Sequence, residues 1–456
     1  AISPVEAVKY TDSNADIRKK NKKSTDGGKI YKMALSNLGR NRKRTVLVIV
    51  SLSLSVILMN SVVTMTESFD LDKYLSTFVD TDFLAAHAQY FNNDYRSNEE
   101  RVSESMIQAI EEEPGFEKGG RIFFYQDVSV KMPEPNPIHL NENGAAVNAE
   151  GEHINVDENL YPRANLYGLE ELPLARMDIV AGETDPDILK EKLDTGDYII
   201  EGVDIDDYGK VYEDRIHYAI GDKVTIHNSN GQEKEAEVIA QIKIKYYTNS
   251  VRYSGVDYVF YTSRDCYEKL GGDMDSVMSY LFQCEDEKEG QMEQFLASYT
   301  ENQEPMMSFE SKSRYLDNFQ SLKGTFTLVG GVLSLIIGII GILNFINACI
   351  TSIITRKKEF AALKAIGMTE KQTRRMVCLE GSYYAAGVVL FSLTVGSLFS
   401  LVVMGNFVIF WFTTYRFILW PMLIVLPFMV VMGLVVPYLT IRVTDKDSVV
   451  EMLREE

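Results

Sequence analysis

Four stretches of this sequence, 45–65, 324–355, 381–415 and 417–441, contain no charged side chain. A helix needs about 20 apolar residues to cross a hydrocarbon core of roughly 30 Å, and each stretch is long enough. A single run of this kind can be a buried helix of a globular protein. Four of them in 456 residues point to a polytopic membrane protein. The first run starts too late, and lacks a cleavage site, to be a secretory signal. The expected architecture is membrane α-helical: four transmembrane helices, one plus three, with an inserted extracytoplasmic α+β domain on a helical stalk.

Whole-chain averages conceal this plan. The net charge of −19 suggests an ordinary acidic protein, but the charge is segregated. Residues 66–325 hold 53 acids and 23 bases, a net of −30; the rest holds 12 and 23, a net of +11, and the two give −19. Arg40, Arg42, Lys43 and Arg44 abut the first stretch, seven bases lie in 356–375, and Arg442 and Lys446 follow the fourth. Bases close to span ends stay cytoplasmic. Both ends of the sequence and the 356–376 loop are therefore expected inside, and the acidic block outside. The aromatic loop WFTTYRFILW (411–420) suits the outer interface.

The boundaries that follow are a cytoplasmic linker at 1–28, an amphipathic membrane-surface helix at 29–44, and spans at 45–66, 324–355, 377–405 and 417–441. Between them lie the outer domain and stalk at 67–323, a cytoplasmic helix or loop at 356–376 and an outer loop at 406–416, with a cytoplasmic tail at 442–456. The second stretch is longer than the hydrocarbon core requires, so its helix is expected to run on into the stalk.

Within the outer block, 82–91 and 119–132 read as strands and 98–113 as a helix. Residues 221–244 read as a hairpin about Asn230-Gly231, the strongest short hairpin signal. VMSYLFQC (277–284) reads as a strand and 287–301 as a helix. Cys266 and Cys284 could form a disulfide in an oxidising exterior; their spacing leaves them either bridged or free.

No phosphate loop, H-E-x-x-H or G-x-S-x-G occurs. DIDDYGKVYEDR (204–215) superficially matches a calcium loop, but Tyr208 and Arg215 stand where ligands are needed, and it reads as a solvated acidic loop. No catalytic residue, metal site or nucleic-acid partner is expected. The spans carry no ionisable group of the kind that ion-coupled carriers use. Small residues form stripes instead, at Gly330, Ser334 and Gly338 and at Ser392, Gly396 and Ser400. Such stripes let backbones approach closely, either as fixed packing or as a sliding seam.

Residues 356–375, RKKEFAALKAIGMTEKQTRR, combine bases with an apolar face formed by Phe360, Leu363 and Ile366. Gly367 can stop a helix there and Thr369 can cap the next. Topology alone would call for bases but for no particular order. The order in ITRKKEFAALKAIGMTEKQTRRMVCLEG resembles the signature of FtsX-like (MacB-type) ABC transporter permeases, with Arg356, Glu359, Leu363, Ala365, Gly367 and Glu380 at matching positions. KMALSNLGRNRKRT before the first span resembles that family's other segment, and MDIVAGETD with AIGDKVTI is similar to its periplasmic core.

The resemblance implies a permease of the bacterial inner or plasma membrane that binds no cofactor itself, while ATP and Mg sit on a separate cytoplasmic ATPase dimer. It implies that Arg356, Glu359, Phe360, Leu363, Lys364, Ala365, Ile366, Gly367 and Met368 couple to that ATPase, with Glu380 as the family residue leading span three. The motion would reach the outer domain by mechanotransmission and act on a peptide, a lipoprotein or a cell-wall-hydrolase partner. The alternative is a membrane-anchored regulator or receptor that controls such a hydrolase, or senses peptides, without transport. Ser3, Val5, Glu6, Val8 and Lys9 also match Ser448, Val450, Glu451, Leu453 and Arg454. The sequence accordingly reads as the second half of a duplicated permease, partnered by its first half or a second copy within membrane lipid.

Overall fold

The structure, a computed structural model, describes residues 30–40, 42–92, 95, 99–206, 208–228, 230–246, 248–251, 258–406 and 410–444. The short repeat, the linker at 11–28 and most of the tail lie outside them. The chain forms two units, one from its two ends up to Phe69 and from Leu322 onward, the other Asp70–Ser321.

Among the described residues, four helices are long and apolar enough to cross a membrane: Thr45–Glu67, Lys312–Thr355, Glu370–Met404 and Trp420–Ile441. They are numbered here as spans one to four. Their limits differ from the uncharged stretches because charge marks where a helix can enter lipid, whereas caps decide where it stops. Span two's helix begins at Lys312, among residues of the second unit. Span three begins at Glu370 behind a Thr369 capping box, and span four at Trp420. Near the start of the chain the described helices are Ile30–Arg40 and Arg42–Glu67, so 42–44 share a helix with span one.

Apolar side chains are no better buried against each other than in lipid, so close packing must hold spans together. The span-two stripe lies on span one. A Cβ at Gly330 would come within 2.5 Å of Val62, and one at Gly338 within 3.1 Å of Ser55 Oγ, with Ser334 buried between them. The span-three stripe faces spans one and four, where Gly396 meets Met422 and Ile57 and Ser400 Oγ lies 3.1 Å from the Tyr415 hydroxyl. Along that stripe span three widens into π-helical turns at Ser392–Gly396 and Ser400–Met404.

The tightest approach joins Gly381 of span three to Gly433 of span four. A Cβ at Gly381 would stand 1.9 Å from the Gly433 carbonyl oxygen and 2.5 Å from the Pro437 ring. Pro437 lies inside span four and has no N–H for the carbonyl four residues earlier, which is that of Gly433. That carbonyl, without its usual helical donor, faces the backbone of Gly381, which carries no side chain. At the other end of this unit Phe69 packs edge-on against Phe326, Phe410 and Phe412, and the Thr414 N–H donates to the Ser68 carbonyl at 2.8 Å.

The second unit is built on one sheet of twelve-residue-or-shorter strands about a long one. In chain order these are β1 (Phe83–His87), β2 (Phe116–Val130), β5 (Arg163–Leu169), β6 (Ile179–Gly182), β7 (Tyr198–Val203), β8 (Lys223–Asn228), β9 (Glu233–Lys243), β10 (Tyr258–Ser263), β11 (Val277–Cys284) and β12 (Met307–Ser311), with β3 (His139–Leu140) and β4 (Ala146–Val147) as a separate hairpin. Strand β2 is long enough to serve three neighbours. Its first half pairs with β11, its second with β5, and its last residues with β8. Since β5 pairs with β10, β10 with β7, β7 with β9 and β9 with β8, the strands β2-β5-β10-β7-β9-β8 close into a ring. An irregularity between Tyr125 and Val128 bends β2 where it joins this ring. A stack of Phe124, Tyr167 and Tyr261, with centroids 4.9 Å apart at each step, fills the core.

The hairpin expected at Asn230-Gly231 is β8–β9, with Gly231 at φ +76°, and 277–284 is β11. Residues 82–91 are only in part a strand: β1 ends at His87 and Ala88–Asn92 turn as a 3-10 helix. The helix expected at 98–113 is confined to Glu104–Glu112 by the Ser103 cap. The disulfide left open for Cys266 and Cys284 does not form, and both thiols are free and buried. Cys266 follows β10 while Cys284 ends β11, and those strands are separated by β2 and β5, three strand spacings or roughly 14 Å, beyond the reach of a disulfide.

Replacing Gly381 with Val should force spans three and four apart. The expected cost is at least about 1–3 kcal/mol, the usual penalty of overpacking, read as a lower midpoint of thermal unfolding in detergent. An unchanged midpoint would contradict the Gly381–Gly433 contact.

Candidate functional site

Span two ends at Thr355, and the chain turns at Arg356 into a short bridging helix, Lys357–Ala365. Gly367, at φ +110°, ends this helix in a conformation that side-chain-bearing residues rarely adopt, and Thr369 then caps span three. Both signals were readable in the sequence.

Arg356 is only 7% exposed. Its Nη1 donates to both carboxylate oxygens of Glu380, at 2.9 and 3.1 Å, and its Nε donates to Glu359 Oε2 at 3.0 Å. The guanidinium also lies 4.9 Å from the centre of the Phe360 ring. Glu380, 8% exposed, accepts a further bond from Asn37 Nδ2 at 2.6 Å, and Arg40 donates to Glu359. The charges alternate along the chain of contacts Arg40, Glu359, Arg356, Glu380, and Asn37 closes it. Burial pushes the Glu359 carboxyl up, but the bonds from Arg356 and Arg40 outweigh it and hold the group below its ordinary value.

Beneath this network Ala34, Ile353, Phe360, Met376, Val377 and Ile441 form a buried cluster, with Leu363 and Met368 packed against it. The nine residues singled out at 356–368 therefore divide. Phe360, Leu363 and Met368 face inward, Arg356 and Glu359 carry the charge network, and Lys364 is half-buried. Ala365, Ile366 and Gly367 form an exposed apex, with Ile366 at 74%. Lys358, Lys371, Gln372 and Arg375 are exposed around it.

Sequence reasoning missed Asn37 and Arg40 as partners of this site. Asn37 lies within NLGRNRKRT, but nothing local says which residue it meets 343 positions later. It also missed the π-helical turns and the buried Ser392 hydroxyl there, which has no hydrogen-bond partner among the described residues. Also among the described residues, no group of His, Cys, Asp or Glu is arranged to hold a metal ion.

Residues 331–446, which hold the bridging helix, its network with Glu380 and spans two to four, match the family model described as FtsX-like permease C-terminal. That match covers 116 of the 456 residues and likens this part of the chain to the C-terminal part of FtsX-like permeases. In structure it is similar to the periplasmic region of MacB from Actinobacillus actinomycetemcomitans, at 9% identity over 53% of this chain and 94% of that one, with a TM-score of 0.29. It is also similar to the extracellular domain of the noncanonic ABC-type transporter YknZ from Gram-positive bacteria, at 11% identity over 46% of this chain and 89% of that one, with a TM-score of 0.25. No curated protein matches it in sequence.

Two outcomes are expected of the charge network. Changing Arg356 to Ala leaves Glu380 buried without its counter-ion and should cost about 3–5 kcal/mol, whereas Arg356→Met combined with Glu380→Met should recover most of the loss; thermal unfolding of the two variants decides it. The second concerns pH. The Glu359 pKa is lowered in the folded state, so its contribution is complete above the ordinary value of 4.5 and is lost as pH falls through the lower folded value. A spin label at Lys358 should keep its mobility from neutral pH down to that range and gain mobility only below it.

Proposed function

We propose that this FtsX-like permease is the membrane subunit of an ABC transporter, and that its bridging helix receives the motion of a separate cytoplasmic ATPase dimer. The observation that carries the reading is the division of 356–368 into a buried base and an exposed apex. A loop held inside merely by its positive charge needs no buried arginine and no apolar tip. Here Phe360 and Leu363 seat the helix against the ends of the spans, while Ile366, 74% exposed beside Gly367, is presented outward among bases. An exposed apolar residue in such a setting is a docking anchor, and the charged rim would orient the partner.

ATP and Mg belong to the partner on this reading, since the sequence has no phosphate loop. Displacement of the apex would reach spans two and three through Arg356 and Glu380. From there it would act on the inserted domain outside the cell, by mechanotransmission on a peptide, a lipoprotein or another envelope substrate. The orientation rests on the bases at the span ends, with the bridging helix and both ends of this sequence in the cytoplasm. The excess of acids in 66–325 would favour a cationic peptide through long-range steering.

The test is purification of the full permease from its native membrane with whatever ATPase accompanies it. Ile366→Asp should lower the recovered ATPase at least about tenfold, the effect of losing one anchor residue, without lowering permease yield. Glu359→Lys should retain membrane insertion but uncouple ATP hydrolysis from transport. Wild-type permease that brings no ATPase, or an Ile366→Asp variant that binds it normally, would defeat the proposal.

A further inference from the structure

We propose that the helix Ile30–Arg40 is a third limb of the coupling assembly, which carries displacement of the bridging helix to span one. This rests on the reading of the bridging helix as the ATPase contact, but it concerns a different part of the chain and different residues. Covalent continuity already connects the bridging helix to spans two and three. Nothing in the chain order connects it to span one, and the structure supplies that connection.

The contacts run along one stripe of the N-terminal helix. Ala34, Asn37 and Arg40 recur at three-residue spacing and so lie on neighbouring positions of one face. Ala34 is fully buried in the cluster that also holds Phe360 of the bridging helix and Met376 of span three. Asn37 donates to Glu380, and Arg40 donates to Glu359 of the bridging helix. At the earlier end of the helix, the Tyr383 hydroxyl donates to the Tyr31 carbonyl at 3.3 Å. A helix that only floated on lipid would turn an apolar stripe to the membrane and leave Asn and Arg facing water. This one turns Asn37 and Arg40 to carboxylates of the permease.

The same helix is tied to span one. Only position 41 separates their described residues. The Thr45 hydroxyl, in the first turns of span one, donates to the Leu38 carbonyl at 3.2 Å and lies 3.4 Å from the Tyr384 hydroxyl of span three. Arg42 Nε donates to the Gly39 carbonyl at 3.2 Å. Movement of Glu359 therefore pulls on Arg40, and the short connection passes it to the base of span one. Glu359 stands at the branch point, bonded to Arg356 on one side and Arg40 on the other.

The experiment compares amide hydrogen exchange in the permease isolated from its native membrane, with and without MgATP and vanadate. In the wild type, trapping should change exchange by at least about threefold at both 357–366 and the first turns of span one, 42–48, a span-end region where local opening is measurable. In Arg40→Glu the change at 357–366 should persist and the change at 42–48 should vanish. Arg40→Lys, which keeps a cation opposite Glu359 and leaves the Arg356–Glu359 bond untouched, should retain the change at 42–48, and the persisting response at 357–366 shows that Arg40→Glu has not merely lost its fold. A response at 42–48 that survives in Arg40→Glu, or is missing in the wild type while 357–366 responds, overturns the limb alone. No response at 357–366 in the wild type overturns the ATPase reading and the limb with it.

Discussion

The arginine at the corner between span two and the bridging helix fixes the geometry of everything around it. A buried guanidinium is tolerable only when its donors are used and its charge is matched, because removal from water costs several kcal/mol per ion. Arg356 meets both demands with two carboxylates from different elements, Glu359 one turn away and Glu380 a helix away. The planar fork of Nη1 and Nε lets one side chain hold both at once, which a lysine's single ammonium could not do with the same directionality. The pairing is thus a constraint on angle as well as an attraction: the bridging helix can leave span two only in the direction that brings span three's Glu380 within reach.

Farther from this corner the membrane unit depends on close backbone approach. Lipid removes the usual hydrophobic incentive for helices to associate, so shape has to supply it. Gly330 against Val62 and Gly396 against Met422 and Ile57 show how the two small-residue stripes are used, both of them partly on span one. The Gly381–Gly433 contact adds a polar element. Pro437 withholds the bond that would have satisfied the Gly433 carbonyl, and the oxygen is turned to the bare backbone of Gly381, one residue after Glu380. The charge network and the tightest interhelical contact therefore share a turn of span three.

Local signals carried much of this into the sequence. Absence of charge located four spans, Gly367 and Thr369 marked the end of one helix and the start of the next, and Asn230-Gly231 marked a hairpin, because each of these is a property of a few neighbouring residues. Features that depend on distant pairing did not show. The closure of β2 through β8 requires one strand to serve three partners, and no alternation pattern encodes that. Asn37 is an ordinary polar residue until span three places Glu380 beside it. Cys266 and Cys284 looked compatible with a bridge by compartment, and only the strand order puts them out of reach. The helix start at Lys312 was hidden because charged residues at the ends of a span are as helix-compatible as the apolar ones within it.

The segment 356–368 also resolves why its residue types come in a fixed order. Bases alone would satisfy membrane topology, and any arrangement of them would do. The structure assigns its positions three different surroundings within little more than two helical turns: a guanidinium and Phe360 buried at the base, a carboxylate bonded on two sides at the flank, and Ile366 with Gly367 exposed at the tip. Exchanging the base with the tip would expose Phe360 or turn Ile366 inward. The left-handed turn at Gly367 follows directly after Ile366 and reverses the chain into span three, which keeps the tip at the end of the loop rather than along its side. Order, more than charge, is what separates the buried base of this segment from its exposed apex.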